Sequence, residues 1–322
     1  MNNVKKNKTV EYGRYGVFFL IPFFLVFLVF QFYPLIYTFF ASFVQTIKSG
    51  HNSSTTVVGL GNYKDYVFTK GSDVWPAIII TIVLWLLNFI PQIALSLLLA
   101  AWFTDAHNKL KFTGAYKVIM YLPNIITAAS LAFLFYALFG VQGTITNILR
   151  SLGAPIPVHG LLAEGWASLF IIAFIQFWMW YGNTMIVLIA GIMGISPSLY
   201  EAAMVDGATS NQQFWMITLP LLKPILQFTL VTSCIGGLQM YDIPQLFNDG
   251  GPVVNVASNN IKSTTTIVMK IKEFITSGPQ QDVGRASAYS VILFVITLSI
   301  SMIFYVLTSE KKAKKNKKGE GK

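Results

Sequence analysis

The chain has 322 residues, 54% of them hydrophobic and only 11% charged, with a mean hydropathy of +0.59. Soluble domains carry roughly 25% charged residues, so this depletion, together with several apolar runs of about 20 residues, indicates a polytopic membrane protein. The formal net charge of +10 does not mark a nucleic-acid binder, because seven of the 23 Lys and Arg lie in the last twelve residues and four in the first fourteen, as flanks of spans.

Residues 1–14 form a basic N-terminus with Lys5, Lys6, Lys8 and Arg14. The apolar run over about 15–43 is too long for a signal-peptide core and has no small-residue cleavage site, so it is predicted to be an uncleaved first span, bent at Pro22 and Pro34. Residues 45–75 are polar and contain Gly59-Leu60-Gly61-Asn62-Tyr63. A second span is predicted over about 76–103, interrupted by Asn88 and Pro91, whose faces are expected to turn inward, where freed backbone groups find partners. A short basic loop, 104–117, follows; its His107 has no Cys or second His nearby, so no metal site is predicted.

The third span is predicted over about 118–139, beginning near Tyr121-Leu122-Pro123-Asn124, and the fourth over about 166–193. Trp166 suits an interfacial belt. The fifth span, about 223–247, is broken by Gly236-Gly237 and Pro244, and Cys234 within it is expected to be packed. Between the fifth and sixth spans, Ile267, Val268, Ile271, Phe274 and Ile275 recur at helical spacing and predict a short amphipathic external helix. The sixth span covers about 286–308, preceded by Gly284-Arg285-Ala286-Ser287-Ala288, and a Lys-rich tail occupies 309–322. The fold class expected is therefore an all-α membrane protein with six transmembrane helices. Of the 23 Lys and Arg, 15 fall on the side of both termini and 8 on the other, which predicts cytoplasmic termini.

Between the fourth and fifth spans, residues 194–222 break the apolar pattern. Tyr200-Glu201-Ala202-Ala203-Met204-Val205 gives way to Asp206-Gly207-Ala208, and a second helical stretch runs through Phe214-Trp215-Met216-Ile217-Thr218-Leu219 to Pro220. Asp and Gly favour a turn, and glycine accepts a positive φ, so two short helices with a tight corner are predicted. Ala202 and Ala203 keep the first helix thin enough for another surface to approach. Glu201 either meets a basic group on a partner or caps its own helix, where the dipole favours an acid near the start.

Glu201-Ala202-Ala203, Asp206-Gly207-Ala208, Phe214, Ile217 and Leu219-Pro220 resemble, over about twenty positions, the complete EAA loop of ABC importer permeases. The Gly-Leu-x-Asn-Tyr segment, Gly250-Gly251-Pro252 and the Gly-x-Ala-Ser-Ala segment at Gly284 resemble the carbohydrate branch, the maltose-permease type, first of two paired permeases. The resemblance implies a type I importer permease fold in which Glu201, Ala202, Ala203, Asp206, Gly207, Ala208, Leu219 and Pro220 form a cytoplasmic coupling helix docked on an ATPase. It implies a second homologous permease, two ATPase subunits, an extracellular sugar-binding protein and a sugar substrate, in the cytoplasmic membrane of a prokaryote. The sequence has no G-x-x-x-x-G-K-[ST] phosphate loop. The chain is thus expected to hold no cofactor and no catalytic residue of its own, with ATP and Mg on the partner ATPase.

Polar residues inside spans cost free energy unless they line a cavity or find partners. They concentrate in the fourth and fifth spans: Gln176, Trp178, Trp180, Tyr181 and Asn183, then Ser233, Gln239, Met240, Tyr241 and Asp242. Few are ionised, which suits a neutral, hydroxyl-rich ligand that stacks on aromatic faces and exchanges hydrogen bonds with amides and hydroxyls. Packing and an aromatic belt are the competing roles for these residues. Aligned from the EAA loop, the positions that line the mid-membrane pocket of related sugar permeases are Met179, Trp180 and Asn183, then Ser233, Gly236, Gly237 and Met240. The reading is an ATP-driven importer of sugars, with oligosaccharides the expected size class. A same-fold importer of another small solute is the first alternative. An ion-coupled carrier would leave the EAA loop without a role, and an intramembrane enzyme would need paired carboxylates that the spans lack.

Overall fold

The computed structural model describes residues 13–49, 52–105, 111–256, 259–276 and 280–309. His107, Lys109, the first twelve residues and the Lys-rich tail lie outside the described residues. Helices dominate. Five are long and apolar enough to cross a membrane: Tyr15–Ala41, Val74–Thr104, Ala128–Ser151, Gly165–Met193 and Val283–Thr308. A sixth span results if Ser210–Leu221 and Lys223–Asn248, which meet at a 67° bend, are taken together.

The first apolar helix is α1 (Gly13–Phe27) continued by α2 (Tyr33–Ala41) through a wider five-residue turn, Leu28–Phe32. Pro34 has no N–H to donate and its ring crowds the preceding turn, so the helix passes it by widening. The same device recurs at Pro220. The second span, α3 (Val74–Thr104), runs unbroken through Pro91. Asn88 is buried and donates to the Leu84 carbonyl at 2.8 Å. Pro91 is exposed, so the expectation that both would face inward holds for Asn88 alone. At about 100° per residue, Pro91 lies only about 60° around the helix from Asn88, but on its exposed side with Ile90.

The predicted third span divides. It forms α4 (Thr113–Ile125), α5 (Ala128–Phe139) and α6 (Thr144–Ser151). Ile126 and Thr127 are extended, and Thr127 caps α5 by accepting from Ser130 N. The apolar stretch of spanning length is Ala128–Ser151, about ten residues later than the sequence reading placed it. The fourth span is α7 (Gly165–Met193), which packs along α3 over the largest interface of the molecule. Ser96 Oγ donates to the Tyr181 carbonyl at 2.7 Å and Gln92 Nε2 to Thr184 Oγ1 at 2.7 Å, pinning the two helices together. α4 lies against α7, where Asn124 Nδ2 donates to the Met179 carbonyl at 3.2 Å.

After α7 come α8 (Pro197–Val205), α9 (Ser210–Gln213) and α10 (Leu219–Leu221), then α11 (Lys223–Leu238) and α12 (Asp242–Asn248). α13 (Ile267–Thr276) is the predicted external amphipathic helix. It packs on α3 and on α14 (Val283–Thr308), and Ile275 faces out.

Two small sheets join the helical frame. β1 (Val44–Ser49) pairs antiparallel with β2 (Asn52–Val57) and with β5 (Gln280–Asp282), and β3 (Val253–Val256) pairs with β4 (Asn259–Lys262). The Gly-Leu-x-Asn-Tyr segment anchors the first of them. Buried Asn62 donates to the carbonyls of Ser42 (2.8 Å) and Val44 (3.2 Å), and Tyr63 OH donates to Ser42 Oγ at 2.8 Å.

The entry to α3, α13 and α14 is tied by one ionic network. Asp73 Oδ1 accepts from Tyr289 OH at 2.6 Å and from Arg285 Nη2 at 3.1 Å, and Lys270 Nζ stands 3.4 Å from Asp73 Oδ2. The Arg285 guanidinium lies 4.0 Å over the Phe274 ring. Burial opposes the charge on Asp73, but the Tyr289 hydroxyl and the Arg285 and Lys270 cations outweigh it and hold the carboxyl below its usual range.

Candidate functional site

Where α11 ends, the fifth span comes apart. Gln239 and Met240 follow its last turn and α12 starts at Asp242, so Gln239 to Tyr241 form a break inside the membrane-length segment; Gly236 and Gly237, where the sequence placed the break, stay helical in α11, and Pro244 lies within α12. Irregular backbone at that depth is tolerated where it lines a cavity. A cavity of about 440 Å³ opens there, between α3, α7 and the break.

On α7 its wall is Gln176, Met179, Trp180, Asn183, Thr184 and Val187. These positions recur at three and four residues, one face of a helix. α11 contributes Ser233, Gly236 and Gly237, the break Gln239, Met240 and Tyr241, α12 Asp242, and α3 Asn88 and Gln92. All seven positions aligned with the pocket of related sugar permeases therefore meet around one cavity. Trp180 is 45% exposed toward it. Gly236 has open space where a Cβ would stand, whereas Gly237 is pressed against Trp85.

Two of the predicted lining residues lie elsewhere. Trp178 packs against Phe135 on α5, ring centroids 5.9 Å apart. Tyr181 is buried, its ring 5.8 Å from Phe177 and its hydroxyl donating to Met120 Sδ at 3.4 Å. Their positions point them to the opposite face of α7, so both serve packing. Conversely, Asn88, Gln92, Thr184, Thr229 and Thr232 line the cavity without having been singled out as lining. The signal was present in the helical wheel: Gln92 follows Asn88 by four, Thr184 follows Trp180 by four, and Thr229 precedes Ser233 by four.

The second candidate element is the turn between α7 and α11. α8 begins at Pro197 after Ser196 and ends at Asp206, and Gly207 takes φ +77° with nothing near its missing Cβ. Its tightness rests on Asp206 N to Ala202 O at 3.0 Å and Ala208 N to Ala203 O at 2.9 Å. Thr209 and Gln212 form a reciprocal capping box that starts α9. Tyr200 OH and Thr218 Oγ1, 2.9 Å apart, join the two arms.

Glu201 lies four residues into α8 rather than in its first turn, and among the described residues it has no ion pair or side-chain hydrogen bond. Capping of its own helix is therefore ruled out. Ala202 is exposed and Ala203 half-buried, so the thin face of α8 points outward. Pro220 produces the wide turn Phe214–Thr218, closed by Leu219 N to Phe214 O, and it does not set the angle of the fifth span. That angle is made at Leu222, ahead of Pro224. A groove of about 880 Å³, lined by Leu98, Trp102, Glu201, Phe214 and Trp215 among others, separates the turn from the end of α3.

The chain belongs to the family of binding-protein-dependent transport system inner membrane components, whose model matches residues 75–315. It is 30% identical over 308 residues to the lactose transport system permease protein LacF of Rhizobium radiobacter, covering 93% of this chain and 96% of that protein. It is 28% identical to the arabinooligosaccharides transport system permease protein AraP of Halalkalibacterium halodurans, over 89% of this chain and 85% of that one. The trehalose/maltose transport system permease protein MalF of Thermococcus litoralis is also 28% identical, over 94% and 96%. Among solved structures, a bacterial ABC transporter that imports the acidic polysaccharide alginate contains a chain of the same fold, with a TM-score of 0.73 at 24% identity over 92% of this chain and 96% of that chain.

Proposed function

We propose that this chain is the membrane-spanning permease subunit of an ATP-driven, binding-protein-dependent importer of sugars, oligosaccharides foremost. The observation that carries this reading is the cavity: amides, hydroxyls, one exposed indole and one phenol converge at a break in the fifth span, with no Lys or Arg in the wall. Such a wall exchanges hydrogen bonds with sugar hydroxyls and stacks on sugar C–H faces. Several relatives are named for carbohydrate transport.

The other observation in its support is the corner at Gly207. A rigid, outward-pointing double turn at the opposite end of α7 from Trp166 is suited to receive force from an ATPase. ATP and Mg are assigned to two separate ATPase chains, and a second, homologous permease completes the membrane unit. The termini are assigned to the cytoplasmic side of a prokaryotic cell membrane, from the distribution of Lys and Arg. Reporter fusions at Ser49 and Gly250 should then read outside, and one at Lys111 inside.

A non-sugar solute fits less well. One relative is named for sn-glycerol-3-phosphate transport, and a phosphate would call for a cation in the cavity wall.

The test is the composition and response of the complex purified from its native membrane. One copy of this chain with one second permease and two ATPase chains is expected, and hydrolysis should rise when sugar-loaded binding protein is added. Two copies of this chain without another permease would reject the pairing. Hydrolysis indifferent to the loaded binding protein would reject the import role.

A further inference from the structure

The cavity wall has one ionisable acid and no base. Asp242, the first residue of α12, lines it, and among the described residues no cation forms an ion pair with it. Lys272 of α13 reaches the neighbouring Tyr241. Its ammonium donates to the Tyr241 hydroxyl and lies 4.3 Å over the Tyr241 ring. Asp242 is exposed, at the point where the fifth span breaks and the cavity meets the outer segment that carries α13.

Resting on the sugar-import reading, we propose that Asp242 is a specificity-determining residue that restricts the cavity to uncharged oligosaccharides and rejects uronates. The physical basis is differential. A neutral sugar exchanges hydrogen bonds with a carboxylate as readily as with an amide, because hydroxyls donate to either. A uronate brings a second negative charge into a confined, partly apolar space where like charges are poorly screened, and no Lys or Arg of the wall compensates it. Rejection of the wrong ligand by an uncompensated like charge is an economical route to specificity. Lys272 is not in the wall, and among the described residues its ammonium is held on Tyr241 and forms no ion pair with Asp242. The restriction would set this chain apart from the importer of acidic alginate whose permease shares its fold.

The experiment is calorimetric titration of the purified permease–ATPase complex in nanodiscs, first with a panel of neutral di- to pentasaccharides. The tightest neutral binder is then compared with oligogalacturonate of the same length, in wild type and Asp242→Asn, at about 50 and 500 mM salt. Wild type should bind the neutral sugar and discriminate against the uronate. Asp242→Asn should raise the ratio of uronate to neutral affinity roughly 3- to 10-fold at low salt, with less gain at high salt. A ratio unchanged by the substitution, or a gain indifferent to salt, overturns the charge-rejection role while leaving sugar binding in place. If no neutral sugar binds even to wild type, this inference falls, while the sugar-import reading still stands or falls on hydrolysis stimulated by the loaded binding protein.

Discussion

Gly237 on α11 lies against Trp85 on α3 so closely that a Cβ at Gly237 would stand 2.0 Å from Trp85 Cδ1. Trp85 is buried, stacks on Phe89 at 5.6 Å and donates from Nε1 to Ser233 Oγ at 3.4 Å. One missing side chain thus lets the cavity-bearing helix close on the central one. Gly237→Ala should displace the indole and cost about 1–3 kcal/mol. Gly236→Ala, helical and with open space at its Cβ, should be neutral or stabilise by up to about 1 kcal/mol. Thermal unfolding of both variants in detergent measures the difference, and equal midpoints would contradict the packing described.

The two faces of α7 should separate transport from stability. Trp180→Ala and Asn183→Ala remove groups that face the cavity and should lower sugar transport and substrate-stimulated hydrolysis, leaving assembly and basal hydrolysis largely intact. Trp178→Ala empties a site against Phe135 and should destabilise the fold by about 3 kcal/mol. Transport assays alongside melting curves check the pair of outcomes. Normal transport by both Trp180→Ala and Asn183→Ala would place the substrate path elsewhere.

This division was only half legible in the sequence. Polar residues within apolar helices pointed to α7 and α11, which border the cavity, because a membrane tolerates them only where partners or a cavity exist. Composition could not say which polar residue meets which. Trp178 and Tyr181 differ from Trp180 only by rotation about the helix axis, and the neighbours that receive them, Phe135 and Met120, are distant in sequence. The corner at Gly207 was readable because Asp-Gly chemistry is local. The division of the third span was not, since α4 and α5 are both apolar and Thr127 gives a weak cap signal. The strand β5 was equally hidden: its pairing with β1 is long-range, and its residues Gln280, Gln281 and Asp282 have no strand composition.

Acid should loosen the end where α3, α13 and α14 meet before the helices themselves. The Asp73 carboxyl is held below its ordinary value, so it contributes stability that is fully present above the unfolded-state value of about 3.9 and is lost as pH falls through the lowered folded value. The melting temperature should therefore be level from pH 7 to about 5 in this respect, and fall below about pH 4. Asp73→Asn should lower it at neutral pH and flatten the acid decline, because the Arg285 and Lys270 charges lose their counterion at every pH. Melting curves of the two proteins between pH 7 and 3 provide the check; parallel curves would assign the network no stabilising charge.

The central claim is that ATP hydrolysis on other chains drives sugar through this one by way of the turn at Gly207. Gly207 needs φ +77° and nothing crowds its Cβ position, so Gly207→Val brings backbone strain of about 1–3 kcal/mol to the corner without touching the cavity. Glu201→Lys reverses a charge on the outward-pointing α8 with no internal partner to lose. The measurement is sugar taken up per ATP hydrolysed, in proteoliposomes holding the whole complex and supplied with loaded binding protein. Wild type should import only with ATP and the ATPase chains present. Glu201→Lys should weaken recovery of the ATPase with the permease, and Gly207→Val should import little sugar for the ATP it consumes. Uptake without the ATPase chains, or wild-type coupling in both variants, would contradict the claim.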